Sequence, residues 1–161
     1  MSEGGRMMDT LIQFIHALAV AILVGKVVLL SFVVAPILAK NLDREPFGKV
    51  VRQLFPAYYG LGMGTAVAGF IAVNGLVAMH SGSARLLIAG GLWILVLVTE
   101  AYCRSTLTPQ SNAIRDRLKE QESRGTVDPV LQASWERVHQ RSVYLNFSVL
   151  FAGCSLLALI R

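Results

Sequence analysis

At 161 residues the chain has room for one domain, and its formal net charge is +5. It is 54% hydrophobic and 16% charged, with a mean hydropathy of +0.56, whereas soluble domains run at roughly 45–50% apolar and ~25% charged. The apolar content excludes a disordered chain, and two cysteines exclude a disulfide scaffold, which leaves a small all-α integral membrane protein.

A membrane-crossing helix needs ~20 mainly apolar residues. Four stretches satisfy this, at about 10–38, 57–79, 85–107 and 142–160, within a single integral membrane domain over 1–161. The first reads as a retained span rather than a cleaved leader, because its apolar run is long and Glu3 and Asp9 precede it. Between spans one and two, Phe47, Val50, Val51, Leu54 and Phe55 recur at helical spacing, with Lys49 and Arg52 on the other face. This predicts an interfacial amphipathic helix over 46–55, ended by Pro56. Residues 108–141 form the long polar segment, with Thr108-Pro109 as a helix start, Gly125 as a stop and Asp128-Pro129 as a second start. They predict a cytoplasmic helical hairpin whose second arm runs on into span four.

Orientation follows from Lys and Arg. Arg6, Arg85 and Arg161 fall on the side of the termini, whereas eleven of the fifteen cations fall on the side of the long loops, which is therefore expected to be cytoplasmic. Both termini then face outward, as in a bacterial inner membrane protein. The pI of about 9.6 is explained by this asymmetry and by anionic lipid, without nucleic acid.

Ionisable residues inside spans are costly and face the protein interior or water. Lys26 and Glu100 both fall roughly 5–6 Å from their span centres toward the basic side, and Asn146 about 7 Å. The expectation is a Lys26–Glu100 ion pair whose hydrogen bonding Asn146 completes. It serves either to fix helix register or to carry a proton or cation step.

His16, His80 and Met79 gather toward the outer end, whereas His139 lies about 30 Å from His16 along the membrane normal. Soft Met and His ligands suit Cu(I), and imidazole suits haem iron, so His16 with His80 or Met79 is the candidate haem or metal site. The alternative is that His16 bonds another span, for instance at Asn74. Cys103 and Cys154 differ in depth by roughly 15 Å and are not expected to pair. In span two, Gly60, Gly64 and Ala68 form one small-residue stripe and Gly62 with Ala66 another. They suit tight packing within the bundle, or a homo-oligomer contact through Gly60 and Gly64. No CxxC, HExxH, GxSxG, P-loop or dinucleotide fingerprint occurs, and no catalytic residue is assigned.

Two blocks carry a family resemblance. One is His16 and Gly25 followed by FGKVVRQLFPAYYGLGMG over 47–64; the other is His139, Ser142 and Asn146 in an H-x-x-S-x-x-x-N pattern. Together they resemble the transmembrane-protein-205-like domain family, of DUF4149 type. The resemblance implies a four-span helical membrane protein without a settled enzymatic activity. It implies recurring residues at His16, Gly25, Phe47, Gly48, Leu54, Phe55, Pro56, Tyr58, Pro109, His139, Ser142 and Asn146, with Val24 where members often carry Trp. A more distant similarity links the first span to four-span copper-resistance and haem-pathway proteins. Three functional expectations follow. The first is a non-enzymatic binding or scaffold component of a membrane assembly. The second is a haem- or copper-binding protein centred on His16, and the third a small ion or solute permeation unit using Lys26, Glu100 and Asn146.

Overall fold

The computed structural model describes residues 3–80 and 83–159. Arg161 and the last residue of the expected fourth span lie outside the described residues. The fold is all-α, built from four long helices that have the length and apolarity to cross a membrane. They are α1 (Glu3–Asn41), α2 (Arg44–His80), α3 (Ala84–Ser123) and α4 (Pro129–Leu159). Each helix packs on the next and α4 returns to α1, so α1 and α3 face each other across the bundle. The exterior is apolar, with Phe14, Phe32, Ile71, Val98 and Phe151 exposed. In a chain of this hydropathy such a surface belongs to lipid, and the protein is an integral membrane protein.

Two segment boundaries differ from the sequence reading, each at a proline. The amphipathic stretch over 46–55 is the first part of α2, which runs through Pro56 without a break. Pro56 deletes a single amide donor, and the Phe55 ring stacks on Tyr59 across it at 5.7 Å and 16°, which holds the two turns in register. Phe47, Val51, Leu54 and Phe55 therefore face the other helices instead of lying flat on a headgroup layer. Thr108-Pro109 opens an α-helical stretch over Thr108–Ser123 with the proline in its first turn, but no break separates it from what precedes. The chain arrives from α3 through a π-helical turn over Cys103–Leu107, and a matching π turn over Leu29–Val34 precedes Pro36 in α1. Proline cannot donate its amide and its ring crowds the carbonyl a turn earlier; a wider turn relieves both constraints. The Thr108 hydroxyl donates to the Cys103 carbonyl at 2.7 Å.

The remaining ends follow ordinary capping. Ser83 precedes α3 and its side chain accepts from the Leu86 amide at 3.4 Å. Asp128 accepts from the Val130 amide at 2.8 Å, with Pro129 as the first residue of α4. Gly125 carries the turn between α3 and α4 at φ 74°, a conformation glycine adopts without steric cost.

The core is densest in the half nearer the termini. Val20 and Leu23 of α1, Ala66 and Val73 of α2, Trp93 and Val96 of α3 and Leu156 of α4 are all buried there. Glycine decides where side chains reach across the bundle. A Cβ at Gly69 would overlap the Trp93 indole, and one at Gly62 would overlap the Glu100 carboxylate and the Lys26 ammonium. Seven residues apart on one face of α2, these two glycines let α1 and α3 meet through long side chains. Gly64 faces open space, and Gly60 lies against the Arg104 guanidinium.

Candidate functional site

About one turn on the basic side of the hydrophobic core lies a layer of polar side chains. Lys26 Nζ meets Glu100 Oε1 at 2.5 Å, with the side chains 4% and 1% exposed. The same ammonium sits over the Tyr58 ring, 3.8 Å from its centroid. The cation is thus held between a carboxylate and an aromatic face, an arrangement strengthened where water is excluded. Glu100 Oε2 has no hydrogen-bond partner among the described residues.

Asn146 does not bond the ion pair. Its Oδ1 accepts from the Tyr58 hydroxyl at 2.8 Å, and its Nδ2 donates to the Ser142 carbonyl one turn earlier, at 2.9 Å. The shared depth of the three residues was a sound guide to the layer, but Tyr58 stands between Asn146 and Lys26. Tyr59 lies 3.5 Å from Ser142 Oγ, so two adjacent tyrosines of α2 each face one polar residue of α4. The layer therefore ties all four helices: Lys26 from α1, the tyrosines from α2, Glu100 from α3, and Ser142 with Asn146 from α4. Its tyrosines are the members that helix depth alone could not single out; their signal in the sequence was the Tyr58-Tyr59 doublet just after Pro56.

On the basic side of this layer the helices separate. They leave a groove of about 420 Å³, floored by Val27, Tyr59 and Asn146 and walled by residues of all four helices. Leu30 and Ser31 of the first π turn and Leu107 at the end of the second line it, so the two widened turns flank the opening. Such turns recur at functional sites. The wall supplied by α2 and α1 is mainly apolar, whereas α3 supplies Thr108, Ser111, Asn112 and Arg115 and α4 supplies His139, Ser142 and Asn146. Phe47, Gly48 and Phe55 line the same groove, which gathers motif residues far apart in the sequence. His139 stacks on Trp135, one turn earlier, at 6.2 Å between ring centroids.

The candidate metal residues are not brought together. His16 is buried against Trp93, edge to face at 5.8 Å, and its Nε2 has no hydrogen-bond partner among the described residues. Trp93 also packs on Gly69, eleven residues before His80, which separates the two histidines by about 16 Å along the bundle. His80 instead meets Asp9 at 2.7 Å. Asn74 donates to the Phe70 carbonyl of its own helix and not to His16. Among the described residues, no group of three or more His, Cys, Asp or Glu side chains has a metal-binding arrangement. Cys103 is buried beneath the polar layer, Cys154 is exposed, and both are free thiols.

Gly25 and Pro56 have no polar role. Gly25 faces open space on α1, and Val24 beside it packs against Gly153 of α4.

Residues 18–120 match the family described as Domain of unknown function (DUF4149). The match covers α1 from Leu18 on, all of α2 and most of α3. It stops short of α4, which supplies His139, Ser142 and Asn146. No curated protein and no solved structure matches the chain.

Proposed function

The chain belongs to the DUF4149 family, and we propose that it is a non-enzymatic membrane protein that binds a ligand in the groove between its four helices. The observation that carries this reading is the change in the bundle along its length: a close-packed core, then a closed polar layer, then an open, mainly apolar groove with polar groups from α3 and α4. Pockets with mainly apolar walls and a few convergent polar groups are the usual form of a small-molecule site.

The polar layer serves this reading as a tie. Lys26 and Glu100 satisfy each other's charge, and Val20, Leu23, Trp93 and Val96 close the bundle beyond them. A permeation route would have to pass that plug, so the pair fits a structural role better than ion transfer. A haem or copper role for His16 would need a second ligand within reach, and His80 and Met79 lie at the far end of α2. Within the family, the transmembrane-protein-205-like assignment rests on the block over 47–64 and on His139, Ser142 and Asn146. We also propose that the basic end is cytoplasmic, on the strength of the cation asymmetry.

Cysteine protection tests the binding reading. In a Cys154→Ser background, Ser142→Cys puts a thiol on the groove wall while Cys103 stays buried. N-ethylmaleimide should modify it slowly in native membranes and readily after delipidation in detergent. Equal rates in the two settings would contradict an occupied groove.

A further inference from the structure

The groove continues at the basic end into a second cavity of about 720 Å³, and the two share Phe47, Gly48, Arg115 and Trp135. The rim of this second cavity is charged. Four of its cations are engaged by carboxylates: Arg44 with Glu122 at 3.2 Å, Arg52 with Asp116 at 2.5 Å, and Lys49 and Lys119 both on Glu45 at 3.4 and 3.1 Å. Arg115 has no carboxylate partner among the described residues. Its guanidinium lies beside two rings, 5.7 Å from the Phe47 centroid and 5.5 Å from that of Trp135. One of its nitrogens donates to the Arg44 carbonyl at 3.3 Å. The absence of a side chain at Gly48 leaves room for it, since a Cβ there would stand 3.3 Å from Arg115 Nε.

A guanidinium presents five donors in a planar fork suited to phosphate and carboxylate oxygens. Arg115 spends one on a backbone carbonyl, and the Phe47 and Trp135 rings beside it leave the others available. Beyond it, on the side away from the charged rim, the groove is mainly apolar, with hydroxyl and amide groups from α3 and α4 on part of its wall, and has exposed apolar residues at Phe32, Val143 and Phe147. A free inorganic anion would use the rim and leave the apolar trough empty. An apolar molecule would use the trough and leave Arg115 unpaired. An amphiphile with an anionic head uses both.

We propose that the groove holds an anionic phospholipid of the surrounding bilayer, with its acyl chains along the apolar walls and its phosphate on Arg115. The proposal rests on the binding reading above and names the ligand class for that same groove. The aromatic flanks of Arg115 match the depth at which headgroups begin, since ring side chains concentrate at membrane interfaces. Residues on the outer wall, Phe32 and Phe147, would then touch the chains of the bound lipid on one side and bulk lipid on the other.

The chain's two tryptophans make the test direct. Trp93 is fully buried in the core, whereas Trp135 lines both cavities. A Trp93→Phe protein in phosphatidylcholine vesicles therefore reports from Trp135 alone. Phosphatidylglycerol brominated near the carboxyl ends of its acyl chains is added, or phosphatidylcholine brominated at the same positions. The expected result is half-maximal quenching at a mole fraction of the anionic lipid on the order of tenfold lower, as a charge-assisted contact gives. Arg115→Gln should abolish the preference and Arg115→Lys should keep part of it. Arg117→Gln, an exposed cation outside both cavities, should leave it intact.

Equal quenching by the two lipids would overturn the anionic-lipid proposal while leaving a lipid-binding groove. A preference that survives Arg115→Gln would also overturn it, as the mark of diffuse surface attraction. Absence of quenching by either lipid, together with unprotected Ser142→Cys, would remove the binding reading itself. Unchanged helicity and elution profile of Arg115→Lys guard against a folding artefact.

Discussion

Lys26→Leu alone should damage the protein more than Lys26→Leu combined with Glu100→Leu. Both side chains are almost completely withdrawn from solvent, at 4% and 1% exposure, and they meet at 2.5 Å. Removing the lysine leaves a carboxylate whose second oxygen already lacks a hydrogen-bond partner among the described residues and which packs against Gly62. Breaking a buried pair from one side costs about 3–5 kcal/mol, whereas replacing both partners by apolar residues is often neutral or stabilising. Each single variant is thus expected to lose about 3–5 kcal/mol. The double variant should stay within ~1 kcal/mol of the parent, which sets a coupling energy of at least ~5 kcal/mol for the cycle. The Tyr58–Asn146 bond uses neither charged group of the pair and should persist in all three proteins. Reversible unfolding in mixed detergent–SDS micelles, followed by helical circular dichroism, measures the four free energies. A double variant as unstable as the sum of the singles would refute the structural role of the pair. It would return Lys26 and Glu100 to the list of functional charges.

Other outcomes follow from the same geometry. Gly62→Val should cost about 1–3 kcal/mol by the same unfolding assay, since its side chain would enter the ion pair; Gly64→Val, facing open space, should cost little. Trp93→Ala, emptying a site that is 0% exposed, should cost about 3–5 kcal/mol. Beyond the apolar part of α3, hydrogen bonding from Arg52 holds the Asp116 carboxyl below its usual value of 3.8. A lowered carboxylate pKa contributes stability that is present above the ordinary value and lost as pH falls through the lowered one. An NMR titration should place the Asp116 midpoint below 3.8, and Arg52→Gln should raise it toward that value. An epitope at the N-terminus should be cut by external protease in spheroplasts; protection would contradict the proposed orientation.

The four spans were legible because apolar length is a strong signal in a chain with few charges. Lys26 and Glu100 could be brought to one level because helix rise converts residue number into depth. What depth does not give is azimuth. Tyr58 and Asn146 lie near the same depth as the pair, and only the packed bundle shows that the tyrosine stands between them. The small residues of α2 illustrate the same limit. Two stripes were visible, but Gly62 lies under the ion pair and Gly64 faces outward, which spacing alone could not decide. The prolines were misleading for a different reason. Pro56 and Pro109 read as boundaries because proline removes a donor, yet neighbouring packing keeps both helices continuous, through a ring stack in one case and a widened turn in the other. The groove was invisible for that reason, since the widened turns that flank it leave no pattern in hydrophobic periodicity. Similar helix depth also does not give distance in space for the histidines. His16 lies deep against Trp93, while His80 stays at the helix end with Asp9.

The most direct test of the groove as a binding site is an experimental structure in lipid nanodiscs containing phosphatidylglycerol. The account predicts elongated density between α1 and α4, running past Ser142 and ending in a headgroup peak within hydrogen-bond reach of Arg115. A groove filled by the protein's own side chains, with α4 closed onto α1 and no ordered density, would contradict it.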